Sequence, residues 1–219
     1  MADEVKAVLD TLDPQNVTLL SFSMGGSISI LYVSPHDGAH IKKLALVGAD
    51  APCFTKREDF PYGIDKLAVD DLIRQTYEDR PSMLRNFSEI FFVASEKLSP
   101  EFKIWNLGLG LAASSYATIQ CAIELRDADL RKDLANIQVP APIVHGANDR
   151  YAYLIWPKLC MKILKVHSLY KLKKLVMVFT LKNARELTQS LSSLLASYLL
   201  LSKGLDLWGA ATLEMTAML

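Results

Sequence analysis

Ser23 is the residue of this chain whose type and position are best suited to chemistry. An apolar run, Val17–Phe22, ends abruptly at Ser23, and a helix-like segment begins directly after it at Met24. A serine at a sharp turn from a strand into a helix presents its hydroxyl outside the sheet, where the oxygen can attack a carbonyl carbon and form an acyl intermediate. Gly25 and Gly26 leave room for close strand–helix approach. The alternative is an ordinary serine at the end of a strand.

The composition is that of a globular chain with balanced charge. Its 219 residues suffice for one domain with a sizeable core, or for one domain with a small insertion. The 24 acidic and 24 basic residues cancel, so no net field favours nucleic acid or an anionic membrane. The odd number of cysteines (Cys53, Cys121 and Cys160) and the acidic, polar N-terminus predict reduced thiols, no signal peptide and a cytoplasmic location.

Hydrophobic periodicity predicts a parallel α/β sheet that is interrupted by helices. The predicted strands and helices are, in chain order, helix 2–12, strand 17–22, helix 25–33, strand 43–47, four helical stretches at 66–78, 80–92, 100–112 and 114–126, strand 142–145, helix 157–166, strand 175–180 and helix 183–202. The predicted organisation is a core of residues 1–53 and 137–203, a helical cap of residues 54–136 and an irregular tail of residues 204–219.

Several segments occur together in an order that is typical of one family. They are the helix, strand and turn of residues 3–26, the strand segment 43–49, the cap segments 79–92 and 105–118, the segment 127–140, the motif His-Gly-Ala-Asn-Asp-Arg at 145–150 and residues 184–187. In these segments the chain resembles the cofactor-free haloperoxidase and esterase branch of the α/β-hydrolase superfamily. The resemblance implies a partial α/β-hydrolase parallel sheet, with the later strands only, and a helical cap insertion.

The resemblance also implies roles for individual residues. Ser23 takes the nucleophile position, Asp149 is the acid that orients the histidine, and the backbone N–H of Met24 is one oxyanion donor. Asp149 has the alternative of a turn residue that caps the next helix, and Asp50 is the second choice of acid. Ser21 stands where the family usually has glycine, and a small side chain is expected to fit there at some cost in packing. Neither a metal nor an organic cofactor is implied.

The family's histidine is missing from the place where the resemblance would put it. That place is near position 177, which is Met177, and no histidine follows His167. His167 lies in a lysine-rich stretch that predicts a solvated basic face, and His145 is predicted to be a packed residue at a strand end. Because a serine without a base is a weak nucleophile at neutral pH, impaired or absent catalysis is expected.

The resemblance further implies that this chain is N-terminally truncated relative to the family. The family has three or four strands before the helix that opens this chain, and one of their loops gives the second oxyanion N–H. One side of the strand Val17–Phe22 is therefore expected to be unpaired. An apolar strand edge invites a partner strand or a second copy of the chain, so a homodimer at this edge is one expected partnership.

The function implied by the resemblance is carboxylesterase-type hydrolysis of small acyl esters. Aromatic cap residues would line an acyl pocket or, as the alternative, form the core of the cap: Phe60, Tyr62, Phe87, Phe91, Phe92 and Trp105. The competing interpretation is a catalytically inactive relative that acts as a binding module. Binding of nucleic acid or of a membrane surface through the lysines of residues 162–174 is not expected, and residues 187–202 are too short for a membrane span.

Overall fold

The structure is a computed structural model that describes residues 1–36, 38–91, 98–146, 155–164 and 169–172. Helices and strands alternate along these ranges. The order is α1 (Ala2–Leu12), β1 (Val17–Phe22), α2 (Met24–Val33), β2 (Ile41–Val47), α3 (Lys66–Glu78), α4 (Arg80–Phe91), α5 (Pro100–Ala112), α6 (Ser115–Asp127), α7 (Arg131–Asn136), β3 (Ile143–Gly146), α8 (Ile155–Leu164) and β4 (Leu169–Leu172).

The four described strands form one parallel sheet in the order β1-β2-β3-β4. β2 is paired on both sides, and all of its residues except Lys42 are buried. β1 pairs with β2 along its whole length, from Val17 opposite Ile41 to Phe22 opposite Val47. Because the strands are parallel, their C-terminal ends lie at one edge of the sheet, and this is the edge at which Ser23 follows β1. The predicted partial α/β-hydrolase sheet is confirmed.

One face of β1 is covered by helices, and the other is partly exposed. Leu19 packs with Leu9 of α1 against the buried core of the sheet. On the opposite face Thr18 is exposed and Leu20 is 39% exposed. The described part of the chain covers the face that carries Leu19.

A run of helices separates β2 from β3 at the positions that the sequence predicted. α3 packs against α4 and α6, and α4 packs against α5. α5 begins at Pro100 behind Ser99, whose side chain accepts a hydrogen bond from the Phe102 N–H, and Ser114 caps α6 in the same way. These are the residue types that helix N-termini prefer. The short helix α7 was not predicted, since six residues are too few to show a helical period.

The last two described elements agree only partly with the prediction. α8 begins and ends two residues before the predicted helix 157–166. The structure has a strand, β4, at Leu169–Leu172, which the sequence did not predict. The predicted strand 175–180, the helix 183–202 and the tail 204–219 lie outside the described residues. Among the helices that are described, none is both long and apolar enough to cross a membrane.

Candidate active site

Ser23 forms the turn between β1 and α2. Its backbone has φ 53° and ψ −126°, and a residue with a side chain adopts such a positive φ at a cost of about 1–3 kcal/mol. Hydrogen bonds hold the backbone in this conformation. The Ser23 N–H donates to the carbonyl of Val47 at 3.1 Å, and the Ser23 carbonyl accepts from the Gly26 N–H at 2.9 Å. The backbone is therefore strained at the turn from β1 into α2.

Close packing behind this turn depends on Gly26. A Cβ at Gly26 would lie 2.4 Å from the Cβ of Ala49 and 3.2 Å from its Cα. Gly48 has φ 51°, which lets the chain turn as it leaves β2. Gly25 is less confined, since a Cβ there would come no closer than 3.9 Å to the Cβ of Ser21. The loop after β2 consequently packs directly against the start of α2.

Ser21 fits where the family usually has glycine. Its side chain is buried, with 6% exposed, and its hydroxyl donates to the carbonyl of Ala45 at 3.3 Å. A buried hydroxyl with a hydrogen-bond partner avoids most of the cost of desolvation. The sheet therefore accommodates this substitution.

Asp50 is the side chain that the fold brings to Ser23. The Ser23 hydroxyl donates to Asp50 Oδ2 at 2.8 Å. The backbone of Asp50 is fixed at the same place, because its N–H donates to the Ser23 carbonyl at 3.3 Å and its carbonyl accepts from Ser27 Oγ at 3.0 Å. Asp50 was predicted only as the second choice of acid. Its position three residues after the end of β2 was the available signal, since it places Asp50 at the same sheet edge as Ser23.

A cavity of about 280 Å³ opens beside Ser23 and Asp50. Its other walls come from the start of α2, the loop after β2 and the helices α3, α4 and α6. Apart from Thr118 they are built from apolar side chains and a thiol: Met24, Phe54, Ile64, Ala68, Val69, Leu72, Phe87, Cys121, Ala122 and Leu125. The volume lies near the lower end of the range for small-molecule sites. The polar pair of Ser23 and Asp50 therefore lies on the wall of a largely apolar cavity.

Phe87 is the one predicted aromatic residue that lines this cavity in the described part of the chain. Phe60 is instead buried in a small cluster with Cys53 and Trp156, and Trp105 is 49% exposed. The side chains of Phe91 and Phe92 lie outside what the structure describes, and Tyr62 is 40% exposed beside Phe60. The sequence did not point to Phe54, which lines the cavity from the loop after β2.

The histidines that the structure describes do not line the cavity. His36 and His40 follow α2, and the His40 carbonyl accepts a hydrogen bond from the first residue of β1, at the opposite edge of the sheet from Ser23. His145 is 1% exposed within β3, which confirms it as a packed residue near a strand end. His167 lies outside the described residues.

Asp149 and Met24 are the two other predicted site residues. Asp149 lies outside the described residues, so its role stays a prediction. Met24 is the first residue of α2, and the first N–H groups of a helix have no acceptor within the helix. The positive end of the helix dipole lies there too, which favours negative charge beside Ser23. Within the described ranges, no cluster of histidine, cysteine and carboxylate side chains is arranged to hold a metal ion.

An ion cluster ties the loop after β2 to α7. Arg131 contacts Asp59 at 2.7 Å and Asp129 at 2.6 Å, and the Cys53 thiol donates to Asp129 at 3.3 Å. The hydrogen bonds from Arg131 hold the pKa of Asp129 well below its usual range. Burial raises the pKa of Cys53 to about 11. The cluster fixes the segment that begins at Cys53 and carries Phe54 to the cavity.

The chain belongs to the alpha/beta hydrolase fold family, whose sequence model matches residues 1–153. It is 51% identical over 152 residues to the AB hydrolase superfamily protein YisY of Bacillus subtilis (strain 168), a match that covers 69% of this chain and 56% of that protein. The chain spans about 55% of the length of the curated relatives that it matches.

Solved structures agree with this assignment. An esterase from Exiguobacterium antarcticum has a TM-score of 0.81 at 40% identity, with 88% of this chain and 71% of that chain covered. A bromoperoxidase from Bacillus anthracis has a TM-score of 0.82 at 28% identity, with 89% and 72% covered. These similarities place the chain in the haloperoxidase- and esterase-like branch of the family.

Proposed function

We propose that this chain is a serine hydrolase of the carboxylesterase type that acts on small acyl esters, at a rate well below that of a serine hydrolase with a complete triad. Ser23 attacks the ester carbonyl, and the N–H of Met24 stabilises the oxyanion. The acyl-Ser23 intermediate is then hydrolysed by water.

The observation that carries this proposal is the strained turn at Ser23 beside an apolar cavity. A positive φ at a serine costs free energy, and such strain is found where function retains it. The cavity of about 280 Å³ next to the Ser23 hydroxyl has room for a short acyl chain. The family and the esterase and bromoperoxidase structures that the chain resembles support the same class of reaction.

A low rate is proposed because position 177, where the family would place its histidine, is Met177, and the histidines that the structure describes do not line the cavity. In a well-studied serine protease, removal of the catalytic serine or histidine lowers kcat by about 10⁶. The remaining activity would come from the oxyanion donor, the position of Ser23 and the binding of the ester.

The experiment that tests the proposal is labelling of the purified chain with a fluorescent fluorophosphonate. The variants are Ser23→Ala and the matched control Ser29→Ala, which removes a buried hydroxyl from α2, the helix that follows Ser23. We expect labelling of the wild type and of Ser29→Ala, and none of Ser23→Ala. A folded wild-type chain that takes up no label, or a Ser23→Ala variant that labels normally, would contradict the proposal.

The second function is a binding module without catalysis, which the open side of β1 favours. In the described part of the chain β1 pairs with β2 alone, and Leu20 next to this edge is 39% exposed. A strand with a free edge and an apolar side chain adds a further strand readily. Absence of phosphonate labelling together with association through β1 would favour this function.

The proposed compartment is the cytoplasm. Cys53, Cys121 and Cys160 are all free thiols, and Cys53 and Cys160 are buried. Unpaired cysteines are usual in a reducing compartment.

A further inference from the structure

Asp50 makes its contact with Ser23 directly, and this contact is held by the backbone. The Ser23 hydroxyl donates to Asp50 Oδ2 at 2.8 Å. The two further hydrogen bonds, from the Asp50 N–H to Ser23 and from Ser27 to the Asp50 carbonyl, fix the loop on which the carboxylate sits. In the usual triad an imidazole occupies the position next to the serine hydroxyl, and the carboxylate contacts only the imidazole. Here the carboxylate itself has the place of the base.

We propose that Asp50 is the general base for Ser23, a role that rests on the serine hydrolase function proposed above. A base must lie within hydrogen-bond reach of the proton that it removes, and Asp50 meets this condition. Asp50 is 4% exposed and lines the cavity together with Ser23. Little water therefore competes for its carboxylate, and a hydrogen bond in such surroundings is stronger than in bulk water.

The reaction balances with Asp50 as the group that accepts and returns the protons. As the Ser23 Oγ–C bond forms, the Oγ proton passes to Asp50 Oδ2 and the carbonyl π electrons move to the oxyanion. The C–O bond to the alcohol then breaks, and the alcohol leaves with the proton from Asp50. In the second half a water molecule attacks the acyl carbon and gives its proton to Asp50, which returns it to Ser23 Oγ as the acid departs. No oxidant, reductant or metal ion enters these steps.

This assignment also accounts for a slow reaction. A carboxylate is a weaker base than an imidazole, and proton transfer is most efficient when the pKa of the base lies near the working pH. Described polar groups bond to the backbone of Asp50, and its carboxylate accepts from the Ser23 hydroxyl. Asp50 thus differs from the acid of a complete triad because it contacts the serine directly and acts as the base.

The test compares the rate of fluorophosphonate labelling at several pH values for the wild type, Asp50→Asn and a matched control, Asp65→Asn, whose side chain is 69% exposed. General base catalysis contributes about 10²–10⁴ in rate, so Asp50→Asn is expected to label at least about 100-fold more slowly. The remaining labelling of Asp50→Asn needs hydroxide, so its rate should rise about tenfold per pH unit. The wild-type labelling rate should level off once its base is ionised. The control should label like the wild type.

Two further measurements accompany this test, one for folding and one for a histidine base. Near-UV circular dichroism reports whether Asp50→Asn keeps its tertiary structure. Diethyl pyrocarbonate, which modifies histidines, is applied to the wild type, and its labelling should be unchanged. A labelling rate that this reagent abolishes and hydroxylamine restores would overturn the proposal, since the base would then be a histidine.

The outcomes separate this inference from the proposed function. If the wild type labels, Ser23→Ala does not, and Asp50→Asn labels at the wild-type rate, then Asp50 is not the base although the hydrolase function stands. If the folded wild type does not label, both the assignment of Asp50 as the base and the hydrolase function are contradicted.

Discussion

Gly26 has no room for a side chain, because Ala49 lies where its Cβ would be. Gly26→Ala should therefore force the loop after β2 away from the start of α2. Overpacking of this kind costs about 1–3 kcal/mol, and we expect the free energy of unfolding to fall by that amount in urea titrations followed by circular dichroism. Displacement of Asp50 with this loop should also slow phosphonate labelling at Ser23.

The neighbouring glycine provides the control. A Cβ at Gly25 would have its nearest contact at 3.9 Å, an ordinary van der Waals distance. Gly25→Ala should be tolerated or gain up to about 1 kcal/mol, since alanine is the better helix former. Equal destabilisation by the two substitutions would show that the close approach of Ala49 does not limit the turn.

At the scale of elements, α6 carries one face of the cavity, and Ala122 is its smallest residue there. Ala122→Phe should fill part of the cavity and select against longer acyl chains. Each methylene that the cavity no longer holds is worth about 0.8 kcal/mol, so the ratio of kcat/KM for p-nitrophenyl butyrate over acetate should fall several-fold. Ester hydrolysis measured on both substrates checks this.

The exposed residue Ala117 on the same helix gives the matched control. Ala117→Phe adds the same bulk outside the cavity and should leave the ratio between the two esters unchanged. If both variants shift the ratio equally, Ala122 does not select the acyl chain through its place in the cavity wall.

Stability toward acid should depend on the ion cluster at the N-terminus of α7. Arg131 lowers the pKa of Asp129 in the folded chain. The pair therefore stabilises the fold at pH values above the ordinary aspartate pKa of about 3.9. This stabilisation is lost as the pH falls toward the lowered pKa of Asp129 in the folded state. Because Arg131 is 30% and Asp129 38% exposed, solvent screening limits the effect. Arg131→Met should cost about 1 kcal/mol at neutral pH.

The difference between the unfolding free energies of the wild type and Arg131→Met should shrink as the pH drops below about 4. Lys132→Met, which changes an exposed neighbour in the same helix, should show little difference at any pH. A cost of Arg131→Met that does not change with pH would mean that lost packing, rather than the charge of Asp129, explains it.

The sequence predicted those elements whose signals are local. β1 follows from an apolar run, the helices α3 to α6 follow from a helical period, and the turn at Ser23 follows from the abrupt end of that run before Met24 and two glycines. β4 was missed because four residues carry too short a pattern among lysines. The Ser23–Asp50 contact was not foreseen as a direct bond, since it depends on how closely Ala49 can approach Gly26, which only the three-dimensional packing reveals.

For the molecule as a whole, the side of β1 on which the described residues place no strand predicts self-association. Leu20, 39% exposed beside that side, should contribute apolar contact. Light scattering over a concentration series should show a growing fraction of dimer for the wild type. Leu20→Lys should reduce this fraction, because a charged side chain disfavours the addition of a strand.

Leu67→Lys offers the comparison, since Leu67 is 78% exposed on α3, away from the sheet edge. It should leave the dimer fraction unchanged. A wild-type chain that stays monomeric throughout the series would argue against association through β1. An equal reduction of the dimer fraction by Leu20→Lys and Leu67→Lys would argue against it as well.

The helical insertion between β2 and β3 also sets the order in which the sheet can be completed on a ribosome. β1 and β2 are close in the chain and can pair early, because short loops lose little entropy on closure. β3 emerges only after residues 48–142 have been made, which takes on the order of ten seconds at usual rates of translation. During that interval the second edge of β2 is unprotected. The nascent chain is thus most prone to misassembly while residues 48–142 are being synthesised. A chaperone would act by covering this edge of β2.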